Sequence, residues 1–268
     1  MDTAPRATLP DGLRFAFGTL TTLPVNIPRW DRRAARAGML CAPLAGLVVG
    51  LAAAALGGAL LLLGASPLLA AVGTVAVPAA LTRGLHLDGL ADVADGLGSG
   101  KPAGDALRIM KQSDIGPFGV LTLVLALLAQ VAAVSELYAR SWAHGAAAFA
   151  VAAVVARAAL TLASRTGVPA ARPEGLGAAV AETVPVRAAW GTAAAVTALA
   201  ACAGLAVSHT GRPAGGAAVY AAAAAVGLAA TEALLRRCRL RFGGVTGDVY
   251  GALAESAATA ALIVLALG

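Results

Sequence analysis

The sequence predicts an all-α fold, a polytopic bundle of about seven transmembrane helices with its N-terminus in the cytoplasm. Three observations carry that prediction. Of 268 residues, 59% are hydrophobic and only 13% charged, and the mean hydropathy of +0.80 lies outside the range of soluble globular domains. Mainly apolar stretches of the length needed to cross a bilayer, about 20 residues, recur between charged or Gly/Pro-rich breaks. Lysine and arginine also fall asymmetrically among those breaks.

Residues 1–268 read as one integral membrane domain: an interfacial N-terminal segment at 1–37 and a bundle at 38–268. The N-terminal segment has no unbroken apolar core of the signal-peptide kind, so it is expected to be retained. Within it Leu13, Phe17 and Leu20 recur at helical spacing, which suits a short helix lying in the membrane interface. Spans are expected at 38–63, 66–85, 118–136, 144–164, 187–208, 215–235 and 250–267. The alanine-rich ones, 144–164 and 215–235, suit protein-facing positions, since small residues let helices approach closely.

Of the twenty basic residues, seventeen fall before the first span or in the connections 86–117, 165–187 and 236–249, counting Arg83 and Arg187 at their borders. Arg140 and Arg212 lie on the other side, and Arg157 lies inside a span. The charge-rich side is therefore expected to face the cytoplasm. A net charge of +6 does not indicate a nucleic-acid partner, because the basic residues form no stripe interleaved with aromatics. Three cysteines without a CxxC pair imply neither a disulfide framework nor a zinc site, and are expected to be packing residues.

Chemistry concentrates in TRGLHLDGLADVADG at 82–96. Asp88, Asp92 and Asp95 are spaced i, i+4, i+7, so they share one helical face within an arc of about 60°. Carboxylates that close repel one another unless a cation sits among them, and an oxygen-only donor set favours Mg²⁺ or Mn²⁺ over zinc. A second acidic pair, Asp248 and Glu255, is again seven apart in GGVTGDVYGALAE. The two clusters belong to the same predicted membrane side, where together they can hold metal bridging a diphosphate, as phosphoryl transfer requires.

Gly243, Gly244 and Gly247 would admit a phosphate close to the backbone. The same run also reads as an ordinary helix-entry turn with Thr246 or Asp248 as N-cap. His86 falls on the opposite helical face from Asp88 and reads equally as a base, a substrate hydrogen-bonder or an interfacial histidine. Lys111 and Arg108 follow at a spacing that suits an anion or a membrane-side anchor, and Arg172 and Glu174 border the same face. Arg157, in mid-span, calls for an acid or an anionic ligand in the bundle interior. His144 and His209 fall on the outer side and are assigned no role.

In chain order, FGTLTTLPV, GLHLDGLADVADG, IMKQSDIGPFG, RPEGLG and GGVTGDVYGALAE resemble the cobalamin synthases, also called adenosylcobinamide-GDP ribazoletransferases, which are bacterial and archaeal integral membrane enzymes. The resemblance covers nearly the whole chain. It implies a Mg²⁺-dependent enzyme of the bacterial inner membrane whose active site faces the cytoplasm. A hydroxyl of α-ribazole or its 5′-phosphate would attack the cobinamide-bearing phosphorus of adenosylcobinamide-GDP and release GMP.

On the paired acidic spacings, Asp92, Asp95, Asp248, Glu255 and His86 are expected to be catalytic residues, with Asp88, Asp92, Asp95 and Asp248 as metal ligands. Glu255 would be a further ligand or the base. Lys111, Ser113, Arg157, Arg172, Glu174 and Thr246 would contact substrate. One block departs from the family pattern: an aspartate, a serine and an arginine usually follow the Met-Lys pair, where this chain has Gln112, Ser113 and Asp114. The aspartate spacing is also similar to that of the CDP-alcohol phosphotransferases, an analogy that offers lipid transfer as an alternative and adds a homodimer. An ion-coupled transporter built around Arg157 is the alternative from another class.

Overall fold

A computed structural model describes residues 6–207 and 213–268. His209 and Arg212 lie outside the described residues. The chain is helical throughout, in the order α1 (Leu9–Leu20), α2 (Arg32–Leu62), α3 (Pro67–Leu81), α4 (Leu85–Gly98), α5 (Ala103–Ile109), α6 (Pro117–Arg140), α7 (Trp142–Ala163), α8 (Leu176–Val180), α9 (Val186–Val207), α10 (Pro213–Phe242) and α11 (Gly247–Leu267). Six of these are long and apolar enough to cross a membrane, and a seventh crossing is formed if the bent pair α3–α4 counts as one.

Helix ends are set by capping chemistry rather than by hydropathy, so several spans are longer than the apolar runs inside them. Asp31 starts α2 six residues before the expected boundary by accepting hydrogen bonds from the amides of Arg33 and Ala34. At the same end of the bundle, α10 runs on through RRCRLRF to Phe242, beyond the expected boundary at 235. α3 is the exception. Its 15 residues reach about 22 Å, short of the ~30 Å hydrocarbon layer, so the expected span 66–85 is a broken one. Arg83 (φ 52°) and Gly84 (φ 71°) adopt left-handed backbone, and this turn swings α4 away from α3 by 87°.

The N-terminal segment does form a helix. A reciprocal Thr8–Asp11 capping box opens α1, and the face it buries carries Gly12, Phe15, Ala16 and Leu20 rather than Leu13 and Phe17. Phe15 meets the Trp30 ring with centroids 5.0 Å apart, and Arg29 ties Asp11 to Asp31, so α1 docks on the start of α2.

α7 is the central helix, packed against α2, α6, α9, α10 and α11. Its most apolar window is 83% buried, as its alanine content predicts, but that of α10 is only 39% buried. Alanine permits close packing without compelling it. Cys41 and Cys238 are packed in the interior, whereas Cys202 is exposed on α9. His144 belongs to the cap of α7, where its amide and Nδ1 both meet the Ser141 hydroxyl.

Following the chain through its turns, the 82–116, 164–185 and 243–247 segments all emerge at one end of the bundle. They are tied there by short pieces of extended pairing. Ala171 donates its amide to the Val245 carbonyl, Val245 donates to Pro169, and Val184 donates to Ser164.

Candidate active site

α4 lies across the end of the bundle against α6 and α11. Its acids share a face, as the spacing predicts, and are exposed at Asp88, half-buried at Asp92 and buried at Asp95. Gly89 makes the approach to α11 possible, since a Cβ there would fall 2.5 Å from the Asp248 carbonyl oxygen. The first acidic segment thus rests on the backbone of the second. Around Asp92 the charges of Asp88, Asp248 and Asp95 repel, while that of Arg172 attracts.

Thr246 is the N-cap of α11. Its hydroxyl accepts from the Val249 amide and lies 3.2 Å from Asp248 Oδ2. Asp248 therefore sits in the first helical turn, where the helix dipole favours negative charge. Arg172 holds it from the far side, with Nη1 3.5 Å from Oδ2, and also donates to the Leu107 carbonyl. The glycines of this run serve the protein rather than a phosphate. Gly243 has φ 82°, which favours glycine whatever the space, and a Cβ at Gly244 would meet the Pro169 carbonyl at 2.3 Å; Gly247 faces open space.

That space is a cavity of about 660 Å³ lined by Arg108, Lys111, Arg172, Glu174, Thr246 and Asp248, with Leu107 and Leu176 among its apolar walls. Three cations and two acids around an open cleft make a site for an anionic ligand with an acid at its rim. The structure therefore brings together Lys111, Arg172, Glu174, Thr246 and Asp248, with Asp92 and Asp88 beside Asp248. His86 and Asp88 both border a smaller cavity that shares Asp248 with the first.

Other expected site residues go elsewhere. Asp95 is only 7% exposed, and its two oxygens accept the amides of Gly116 at 2.8 Å and Gly119 at 2.9 Å. Gly116 is the N-cap of α6 and has no side chain with which to cap it, so Asp95 supplies that cap from a neighbouring helix. Glu255 lies two turns further along α11, about 10 Å deeper than Asp248, where it accepts from Gln130 Nε2 at 3.0 Å and faces Arg157.

Arg157 is buried, with Nε and Nη2 making no hydrogen bond, and it lines neither cavity. Ser113 and Asp114 are exposed in the turn after α5 and line neither cavity. Two residues that partner the expected site residues were not singled out from sequence. Gln130 positions Glu255, and a lone amide in an apolar run was a signal for it. Leu107 offers only a backbone carbonyl to Arg172, which no side-chain pattern reveals.

Among the described residues, no three His, Cys, Asp or Glu side chains converge closely enough to enclose a metal ion. Asp88, Asp92 and Asp248 nonetheless supply an oxygen-only, mutually repelling set, the chemistry that a hard divalent cation satisfies.

A profile of the cobalamin-5-phosphate synthase family matches residues 12–266. A curated adenosylcobinamide-GDP ribazoletransferase of Frankia casuarinae is 45% identical over 95% of this chain and 94% of its own length. Proteins of the same name from Nocardioides sp. and Stutzerimonas stutzeri are each 40% identical. They cover 94% and 95% of this chain, respectively, and 97% of their own lengths. No solved structure matches the chain. With the profile spanning nearly the whole bundle and both acidic segments inside the match, the chain belongs to the cobalamin-5-phosphate synthase family.

Proposed function

We propose that this protein transfers adenosylcobinamide phosphate from adenosylcobinamide-GDP to the ribose hydroxyl of α-ribazole, or of its 5′-phosphate, releasing GMP. The observation that carries the reading is the meeting of Asp248 with Asp88 and Asp92 at the rim of a cavity lined by Arg108, Lys111 and Arg172. The names of the relatives supply the substrates.

In this reading the diphosphate lies in the basic cavity, with Arg172 and Lys111 offsetting its charge. The acceptor oxygen attacks the phosphorus bearing the cobinamide arm, the bridging P–O bond breaks, and GMP leaves with the electron pair. The hydroxyl proton passes to a carboxylate, and Asp248 or Asp92 is placed for it. Asp88, Asp92 and Asp248 would hold Mg²⁺, whose contribution is to neutralise charge on the phosphoryl oxygens. Asp95 positions α6 and Glu255 the bundle interior, so neither is given a chemical step. The excess of arginine and lysine on this face supports a cytoplasmic orientation, and the bacterial inner membrane is the location that goes with this reading.

Purified protein in detergent, supplied with Mg²⁺, α-ribazole and either a GDP-linked or a CDP-linked donor, tests the reading. GMP release from adenosylcobinamide-GDP, lost in Asp92→Asn, is the expected result. Turnover only with the CDP-linked donor would replace it with a lipid-type transfer, and turnover with neither would sink it.

A further inference from the structure

Asp248 stands between two cavities of opposite character, which share Leu176, Gly247 and Asp248. The larger is the basic cleft described above. The smaller, about 250 Å³, is roofed by α1 and walled by α2, α4, α7, α8 and α11. Leu20, Met39, Leu160, Leu176 and Val180 give it apolar walls, and Asp88 and Asp248 also line it.

Its wall also carries His86, which is 7% exposed and whose Nδ1 makes no hydrogen bond. A ring nitrogen taken out of water and left unpaired is costly, and partners for such groups come from a ligand or water. The rest of the lining is too apolar to hold a chain of waters at two to four bonds each.

Size and polarity then define what fits. The volume is that of about eight water molecules, the room a bicyclic aromatic ring takes, and no lysine or arginine lines it, so it does not suit a phosphate. Asp88 and Asp248, which line it, are where a sugar hydroxyl has to sit to reach a phosphorus held in the basic cleft.

Building on the proposed transfer, we propose that this cavity is the acceptor subsite. It takes the fused aromatic base of the attacking nucleoside between Leu20, Met39 and Leu160, with the His86 imidazole on the same wall hydrogen-bonding the unsubstituted ring nitrogen. The ribose is thereby directed at Asp88 and Asp248. The two substrates enter from opposite sides of Asp248, and His86 is a specificity residue for the base rather than a proton carrier.

The test measures equilibrium binding of radiolabelled α-ribazole to the full-length protein in detergent, alongside KM for each substrate. His86→Leu should weaken α-ribazole binding and raise its KM about tenfold, the loss of one hydrogen bond to a buried group. KM for adenosylcobinamide-GDP should be unchanged, and His86→Gln should recover part of the loss. Thr19→Trp, which fills the cavity from the end of α1 without entering the core, should abolish nucleoside binding while leaving donor binding intact.

Failure of the transfer reading is separately visible, because α-ribazole binding is read without turnover. If both variants bind α-ribazole like the parent, or if KM for the donor rises instead, the cavity is not the acceptor subsite even where GMP release is normal.

Discussion

Asp95→Asn and Asp92→Asn should fail in opposite ways, although the two residues lie one turn apart on α4. Asp95 makes two charge-assisted bonds, at 2.8 and 2.9 Å, to the amides that open α6. Asparagine keeps one accepting oxygen but turns an NH₂ toward the second amide, so one bond is lost and one buried donor is left unpaired. At roughly 1.5–3 kcal/mol for a bond to a charged group, the variant should be about 2 kcal/mol less stable. That is about a thirtyfold fall in the folded-to-unfolded ratio.

Asp92 accepts no comparable bond and is surrounded by repelling carboxylates. Removing its charge should leave stability within about 0.5 kcal/mol of the parent, or raise it, while GMP release falls by about 10²–10³-fold, as when a preorganised electrostatic group is lost. Unfolding in mixed detergent–SDS micelles, followed by far-UV circular dichroism, reads the first effect, and initial rates per folded molecule read the second. An Asp95→Asn protein as stable as the parent but as inactive as Asp92→Asn would refute the capping assignment and return Asp95 to the reacting centre.

Three further outcomes follow from the same geometry. Gly89→Val should force α4 off α11, because even a Cβ there lies 2.5 Å from the Asp248 carbonyl; a cost of about 1–3 kcal/mol with loss of turnover is expected, and normal kinetics would show that the two acidic segments need not touch. Arg172→Lys should raise KM for the GDP-linked donor about tenfold, since an ammonium cannot span both Asp248 and the Leu107 carbonyl; a change in KM for α-ribazole alone would contradict the placement of the diphosphate.

At the α1–α2 junction, hydrogen bonds from Thr8 and the charge of Arg29 hold the Asp11 carboxyl below its usual 3.8. Burial pushes Asp31 up, but the Ala34 amide and Arg29 outweigh it, so it too is lowered. Groups depressed on folding stabilise fully above their unfolded value and lose that contribution as pH falls through the folded one. Protease protection of residues 21–30 should therefore be flat from about pH 5 to 8 and decline below about pH 4; loss of protection near neutrality would rule out these carboxyls as the fastening.

The sequence by itself determined the class of the fold, the number of apolar spans to within one, and which connections share a membrane side. Those follow from transfer free energies that are summed locally along the chain. It also determined that Asp88, Asp92 and Asp95 share a face, because helical periodicity is a property of neighbouring residues.

Only the tertiary structure decided what each of these acids is bonded to. Asp95 is committed to α6 and Glu255 to Gln130, while Asp248 is left beside Asp92. These outcomes depend on partners far apart in the chain. Spacing places a carboxylate on a helix; what that carboxylate does is set by the unpaired amide, arginine or cavity that packing brings beside it.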